Sequence, residues 1–302
     1  MTALHRSRAF LRSYAFMPHR LLNRGAARLT ATKRPAWAVD RAVDLWVRRD
    51  GIDLGDFEAR RFESLDDFFL RRLRPGARPL GPGFVAPADG NLIATGTLSP
   101  DRGLRPSAPS YSLRSLRARA ILAHALRLDQ QLVVKGQRLS LDRVVNAGLH
   151  DLDLSPYDGG SFAVIFLTPR GYHRVHMPLG GEVLDVRWIP GRYFPQNEHA
   201  LEVIPRIYER NERAVLRCRA QGREFLLVMV GASLIGGIHL EGVSREEWAR
   251  REAVPLGWQR DKGAELGHFA FGSTVVALLP RGFGGTASDR AEVRMGETLF
   301  AE

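Results

Sequence analysis

Three short segments carry side chains whose types and spacing could do covalent chemistry. Phe271-Gly272-Ser273-Thr274 opens an apolar run that continues to Leu279. Gly272 lacks a Cβ, so its backbone can take a strained conformation, and its carbonyl lies open to the Ser273 hydroxyl. A nearby histidine could take the hydroxyl proton and an acid could orient that histidine, the usual logic of an activated serine. The segment is not a GxSxG nucleophile elbow, because Val275 stands where the second glycine would be. Taken alone, Gly-Ser-Thr before a strand is also an ordinary turn.

The second segment is Tyr172-His173-Arg174-Val175-His176-Met177-Pro178, which follows an apolar strand. Two histidines at i, i+3 suggest a metal, but a zinc site wants three or four protein ligands, and no HExxH or nearby Cys/Glu set completes one. Acid–base work is the more natural use of imidazoles that titrate near neutrality. On extended backbone the two side chains point to opposite faces, so a turn has to bring them together. The third segment, Pro87-Ala88-Asp89-Gly90, holds an acid in a Pro/Gly turn and is unremarkable by itself.

The chain that must position these groups has 302 residues, the length of about two domains. Its 44% hydrophobic and 25% charged residues are globular averages, which excludes wholesale disorder and collagen-like folding. Cys218 is the only cysteine, so an intramolecular disulfide and a cysteine metal cluster are both excluded, and the chain suits a reducing compartment. The net charge is +11, and residues 1–50 hold eleven Lys/Arg against three acids. Such an arm faces an anionic membrane or a nucleic acid. No reading module for a nucleic acid stands behind it, so nucleic acid is not expected as a partner. Tyr14-Ala15-Phe16-Met17 is too short for the apolar part of a secretory signal. The most apolar stretch, Phe225 to Ile238, has 14 residues and three glycines, too few to span a bilayer as a helix.

Residues 36–49 read as an amphipathic helix, with Pro35 at its start, Gly51 at its stop and an apolar stripe of Val39, Ala42, Val43 and Trp46. With Phe10, Leu11, Tyr14, Phe16 and Met17 among the arginines, this predicts an element lying on a membrane surface. The alternative is a stripe packed on the protein's own core. A second helix is expected from Ser64, with Asp67 in a capping arrangement and Leu65, Phe68, Phe69 and Leu73 on one side, ending at Pro75-Gly76. Strands are expected over Phe162–Leu167, Glu182–Trp188, Ala214–Cys218, Glu224–Val230 and Thr274–Leu279. Tyr111–Leu128 is helix-prone, and Ser140–Val145 reads as a short helix ending by Gly148. The fold class is α+β: a basic, amphipathic helical N-terminal region packed on a β-rich core of short, mainly antiparallel strands.

Taken together, the motifs resemble the phosphatidylserine decarboxylase family over nearly the whole chain. Ser64-Leu65-Asp66-Asp67-Phe68-Phe69 with Arg71-Arg72-Leu73-Arg74-Pro75 is similar to its opening motif, and Pro87-Ala88-Asp89-Gly90 follows. Lys135-Gly136 with Ser140-Leu141 comes next, Leu139 standing where a tyrosine is usual. Tyr172 to Pro178 is the most specific match. Asn211-Glu212-Arg213, Val230-Gly231-Ala232 and Lys262-Gly263-Ala264-Glu265-Leu266-Gly267 then lead to Gly272-Ser273-Thr274, with Phe271 in place of the usual leucine. Residues from about 98 to 131 look like an insertion relative to shorter bacterial members.

The resemblance implies the chemistry. Ser273 attacks the carbonyl of Gly272, and the ester is eliminated to leave a β chain, 1–272, and an α chain, 273–302, that stay associated. The α chain begins with a pyruvoyl group derived from Ser273. The self-processing triad falls on Asp89, His176 and Ser273, and the histidine of decarboxylation falls on His173, with His176 able to share that work. Phosphatidylserine, bound through a Schiff base, loses CO₂ and becomes phosphatidylethanolamine. The carbanion left by CO₂ needs an electron sink; with only Lys33, Lys135 and Lys262 available and no supporting motif, neither pyridoxal phosphate nor a metal is expected to supply it. Residues 1–75 are then a membrane-associating region and residues 76–302 the catalytic core. The expected location is peripheral, on the cytoplasmic face of the cytoplasmic membrane, with an anionic lipid as partner and a homodimer allowed. Two other readings fit the same residues: an Asp-His-Ser hydrolase that stays uncut, and a non-catalytic membrane-binding homologue.

Overall fold

In strand β14 (Ser273–Leu279) every residue is buried, which a strand achieves only when both of its faces are covered. The computed structural model describes residues 19–98, 104–106, 132–134, 137–139, 141–145, 152–196, 198–233, 237–244, 253–270, 273–284 and 291–301. Within these residues the chain begins with helices α1 (His19–Thr30), α2 (Ala36–Asp50) and α3 (Leu65–Phe69). It continues through β1 (Phe84–Val85), β2 (Gly90–Leu98), β3 (Leu104–Pro106), β4 (Leu132–Val134), β5 (Gln137–Leu139), α4 (Leu141–Val145), β6 (Ser161–Leu167), β7 (Arg174–His176) and β8 (Gly181–Ile189). Then come α5 (Glu198–Val203), α6 (Ile207–Arg210), β9 (Arg213–Ala220), β10 (Arg223–Gly231), β11 (Ile238–Leu240), β12 (Val254–Arg260), β13 (Glu265–Phe269), β14, β15 (Glu292–Val293) and β16 (Thr298–Phe300).

A nine-stranded sheet runs β12-β8-β9-β10-β14-β6-β2-β15 with β3 on β2, and its ladders are antiparallel. The five strands expected from the sequence are all in it, each one or two residues longer at one or both ends. Strand alternation sorts its side chains into two cores. Ala163, Ile165, Val275, Ala277 and Leu227 face a core shared with a second sheet, β11-β13-β7. Phe162, Val164, Val276, Leu278 and Val228 face a core covered by Val144 and Val145 of α4, Leu201 of α5 and Ile207 and Tyr208 of α6. The helical cover is locked by Arg213, a fully buried guanidinium that donates to the carbonyls of Val144, Glu209 and Asn211, near the helix ends where carbonyls lack partners. The α+β reading, with helices at the N-terminus and a β-rich core, holds.

The N-terminal helices correct one expectation. Helix α2 runs as the pattern predicts and stops at Gly51 in the left-handed conformation. Its stripe does not face outward, however. Val39 and Val43 are buried against Phe68, and Trp46 meets Phe68 edge-on at 5.5 Å between centroids. The packing alternative therefore holds for that stripe, because the apolar surface of α3 lies within reach. The side chains left outside are others: Leu29, Trp37 and Leu45, which are 75%, 73% and 65% exposed. Helix α3 starts as expected, the Ser64 hydroxyl accepting from the Asp67 N–H at 3.0 Å. It ends at Phe69, sooner than the sequence suggests, because Leu73 is drawn into a bridge with Phe57. No helix among the described residues is long and apolar enough to cross a membrane. The Tyr111–Leu128 helix, most of the 98–131 insertion, Lys135-Gly136, Ser140, Gly148, the Phe10–Met17 arm and Phe271-Gly272 lie outside the described residues.

Candidate active site

The chain passes twice between the two sheets at one place. β6 leads into β7 through residues 168–173, and β13 ends at Phe269 shortly before β14 begins at Ser273. Both pairs are antiparallel neighbours: Ser273 pairs with Leu167 in the large sheet, and His268 pairs with Arg174 in the small one. The Phe269 N–H donates to the His173 carbonyl at 3.0 Å, closing the junction. His173 and Ser273, about a hundred residues apart in sequence, are thus brought to the same crossing. The turn that the i, i+3 histidines needed is the step from this crossing into β7.

His176 sits in β7 and is buried. Its Nδ1 lies 2.8 Å from the Gly263 carbonyl, which can only accept, so Nδ1 carries the proton. Nε2 is left as the base and accepts from the Tyr172 hydroxyl at 2.7 Å. Burial holds this imidazole below its ordinary pKa and pushes the Tyr172 phenol up. Gly263 can present its carbonyl because it turns at φ +81, and a Cβ there would meet Leu80 at 2.8 Å. Lys262 fixes the same turn by donating to the carbonyls of Gly81 and Gly83 at 2.5 and 2.7 Å.

Asp89 stands at the entrance to β2. It accepts from the Met295 N–H at 2.7 Å and from Arg78 at 3.0 Å. Arg78 also pairs with Asp56, so one buried guanidinium bridges two carboxylates. The backbone of this segment runs beside β7, the His176 N–H donating to the Pro87 carbonyl at 2.8 Å. The Asp89 charge is close enough to act on both His176 and Tyr172. Gly90 is required next to it, since a Cβ would meet the Phe166 carbonyl oxygen at 2.5 Å.

His173 is fully buried. Its Nδ1 donates to the Gly171 carbonyl at 3.2 Å, and its Nε2 has no hydrogen-bond partner among the described residues. Burial, with the nearby Arg71 charge second, lowers its pKa to about 3, so it is neutral at physiological pH. The Phe69 ring covers it, with centroids 3.9 Å apart. Arg71 donates to the carbonyls of Arg170 and Gly171, both at 2.8 Å, and so grips the carbonyl that orients His173. In return, Arg174 donates to the Leu70 carbonyl at 3.0 and 2.8 Å and pairs with Glu265. Helix α3 and the histidine loop are latched together from both sides.

Ser273 is fully buried at the start of β14, and its Oγ has no hydrogen-bond partner among the described residues. Alternation places it on the inter-sheet side with Val275. Thr274 faces the other way and donates to Gln196 Oε1 at 2.7 Å. Gln196 and Asn211 both donate to the Gly231 carbonyl, at 3.1 and 2.9 Å, and Gly231 is the register partner of Ser273. This network fixes the strand ends around the serine.

Tyr172 therefore stands between Asp89, with which it lines one cavity, and His176, with which it lines another, while His173 and Ser273 lie at the sheet crossing. No Asp89–His176–Ser273 hydrogen-bonded line is present among the described residues; each member has other partners or, for Ser273, none. Phe69, Arg71, Arg78 and Gln196 were not legible as site residues, since buried arginines and amides leave no periodicity; only their motif membership marked the first two. No group of three or more metal-ligating side chains occurs among the described residues. Chemically, the arrangement offers two neutral imidazoles, each with its Nδ1 proton fixed by a backbone carbonyl and its Nε2 presented as a base. At the crossing that holds His173 lies a buried hydroxyl, that of Ser273, without a partner among the described residues. An unsatisfied buried hydroxyl costs about 1–3 kcal/mol, and such a group is a reservoir that a reaction can draw on.

Residues 65–301 match the family model described as phosphatidylserine decarboxylase. Proteins named phosphatidylserine decarboxylase proenzyme are similar along the whole length. That of Pseudomonas aeruginosa PAO1 is 32% identical, covering 97% of both chains. Those of Bordetella petrii and Azotobacter vinelandii are 31% and 30% identical, covering 98% and 90% of both chains.

Proposed function

Because this chain belongs to the phosphatidylserine decarboxylase family, we propose that it is synthesised as a proenzyme, cuts itself before Ser273 and converts phosphatidylserine to phosphatidylethanolamine and CO₂. The observation that carries the reading is the state of Ser273: buried, without a hydrogen-bond partner among the described residues, and at the crossing that also holds His173. Its Oγ attacks the Gly272 carbonyl carbon, and the peptide C–N bond breaks to give an ester and a free amine at residue 273. Loss of the Ser273 α-proton expels the Gly272 carboxylate, and water then releases ammonia. His176, with Nε2 as its basic atom, takes the hydroxyl proton once that nitrogen turns from Tyr172. Asp89, held in place by Arg78 and the Met295 N–H, is the carboxylate that supports His176 when it is protonated.

The pyruvoyl group formed at residue 273 supplies the electron sink for the charge that departing CO₂ leaves behind. The residues fit such a group: it needs a dry site and a base, and the Ser273 position is fully buried. His173, neutral with an open Nε2, accepts the proton that the substrate ammonium must lose and returns it to the α-carbon, work worth about 10²–10⁴-fold.

Leu29, Trp37 and Leu45, exposed on α1 and α2 among Lys33, Arg34, Arg41, Arg48 and Arg49, are the side chains that meet the lipid surface. This supports a peripheral membrane location for a region within residues 1–75, ahead of a catalytic core in 76–302. Intact-mass measurement of wild type beside Ser273→Ala tests the proposal. Wild type should give two pieces, the 273–302 piece one ammonia lighter than its serine form, and should release CO₂ from phosphatidylserine; Ser273→Ala should stay whole. An uncut wild type, or a short piece with an unmodified serine, overturns it.

A further inference from the structure

The arginines around the cleft beside His176 are not equivalent. Arg71 spends its donors on the carbonyls of Phe68, Arg170 and Gly171. Arg74 donates to the Gly55 carbonyl, Arg78 bridges Asp56 and Asp89, and Arg174 holds Leu70 and Glu265. Arg72 is different. It is exposed, and its guanidinium has no hydrogen-bond or ion-pair partner among the described residues. Its backbone is nevertheless pinned, the Glu58 N–H donating to its carbonyl at 3.0 Å.

Arg72 lines a cleft of about 210 Å³ together with Tyr172, His176, Arg74, Arg78 and Glu265. Glu265 is already neutralised by Arg174, and Glu58, the other acid of the cleft, lies 3.8 Å from Arg60. The charge not matched by an acid is therefore positive, and of the two guanidiniums that carry it Arg74 is tied to the Gly55 carbonyl, whereas Arg72 has no partner among the described residues. Arg72 is close enough to act on Tyr172 and on His268, which stacks on His239 at 5.0 Å in the adjoining strand pair.

We propose that Arg72 is the receptor for the phosphodiester of the substrate's headgroup. The proposal rests on the reading of the chain as a phosphatidylserine decarboxylase and adds to it the residue that recognises the phosphate. Of the two anions in that headgroup, the phosphate is the one an open guanidinium should hold. A guanidinium bound to the reacting carboxylate would stabilise the ground state whose charge has to leave as CO₂. The phosphate keeps its charge throughout, and a planar fork of donors matches it in two hydrogen bonds. Binding that is equal in ground and transition state lowers KM and leaves kcat alone.

The test compares wild type, Arg72→Gln and Arg72→Lys, with two measurements. The first uses short-chain phosphatidylserine kept below its micelle concentration, so that no neighbouring lipid contributes. Arg72→Gln should cut itself normally, keep kcat within about twofold and raise KM about ten- to a hundredfold, with Arg72→Lys between. The second is calorimetric titration of sn-glycerol 3-phosphate, which has the phosphate and no amine, into each protein. Binding by wild type should weaken at least about tenfold in Arg72→Gln. An unchanged KM with soluble substrate, a fall confined to kcat, equal affinity in both proteins, or no binding by wild type overturns the proposal. A KM change seen only in vesicles also overturns it, since Arg72 would then be holding a neighbouring lipid. A wild type that neither cuts itself nor releases CO₂ is a failure of the decarboxylase reading, and the calorimetry still decides whether Arg72 binds phosphate.

Discussion

The Tyr172 hydroxyl donates to Nε2 of His176 across 2.7 Å, and the opposite nitrogen is held by the Gly263 carbonyl at 2.8 Å. This pair of bonds sets the tautomer of the imidazole and occupies its basic atom in the uncut chain. Tyr172→Phe removes the donor and leaves Nε2 buried without a partner. It should cost about 1–3 kcal/mol in urea unfolding and change the pH dependence of self-cleavage, read from the rate of chain splitting on gels. An unchanged stability and an unchanged pH profile would show that the bond has neither role.

Phe69 covers His173 from helix α3. Phe69→Ala should destabilise the protein by about 3–5 kcal/mol, the usual cost of emptying a buried aromatic site. Water then reaches the imidazole, so the His173 pKa, followed by its ring resonances in NMR titration, should climb from about 3 toward the ordinary value near 6.5. If the titration stays where it was, the ring is not what excludes solvent.

Stability should fall as the solution is acidified below neutrality. Burial lowers His173 and His268 to about 3 and holds His176 below its ordinary value. As pH drops through about 6.5 the unfolded chain takes up protons that the folded chain refuses, so unfolding is favoured. The contribution is complete above about 6.5 and is lost progressively toward the folded values. For the fully buried His173 the slope approaches about 1.4 kcal/mol per pH unit. Urea midpoints measured between about pH 7.5 and pH 5 should decrease, and His173→Asn should flatten the curve. A midpoint that rises on acidification contradicts the burial argument.

Cutting before Ser273 would not release the short chain. Its first strand, β14, lies between β10 and β6, with six register pairs to one and seven to the other, and all seven of its side chains are buried. The two pieces should co-elute in size-exclusion chromatography and separate only in denaturant. Separation under native conditions would mean that the ladders do not hold after cleavage.

Membrane contact should depend on Trp37 and Leu45, not on the buried Val39 and Val43. Trp37→Asp with Leu45→Asp should lower sedimentation with anionic vesicles by an order of magnitude or more, since each buried apolar side chain contributes about 1.5–3 kcal/mol. The melting temperature should shift by only a few degrees. Undiminished vesicle binding would place the contact elsewhere.

Much of the fold was legible because its cause is local. Five strands announced themselves as apolar runs broken by Gly and Pro, and α2 by its period, its Pro35 start and its Gly51 stop. The serine and histidine segments were legible from residue type, and the Asp89 turn only from its place among the family motifs. Helix α1 and the small sheet were not, since β7 and β11 are three residues long and carry too few side chains to show a period. The neighbour of the α2 stripe was open between two readings for a related reason. A stripe shows that a helix buries one side, but not whether lipid or Phe68 covers it.

The sequence by its residue types marked Ser273, His173 and His176 as groups that could do chemistry, because nucleophiles and imidazoles are identified by their atoms; Asp89 joined them only through the family resemblance. Which nitrogen of each histidine carries the proton, which arginine of the cleft has no partner among the described residues, and that Ser273 is buried were decided only by tertiary structure. Those properties are set by carbonyls, rings and ladders that come from segments far apart in the chain, where no local pattern records the encounter.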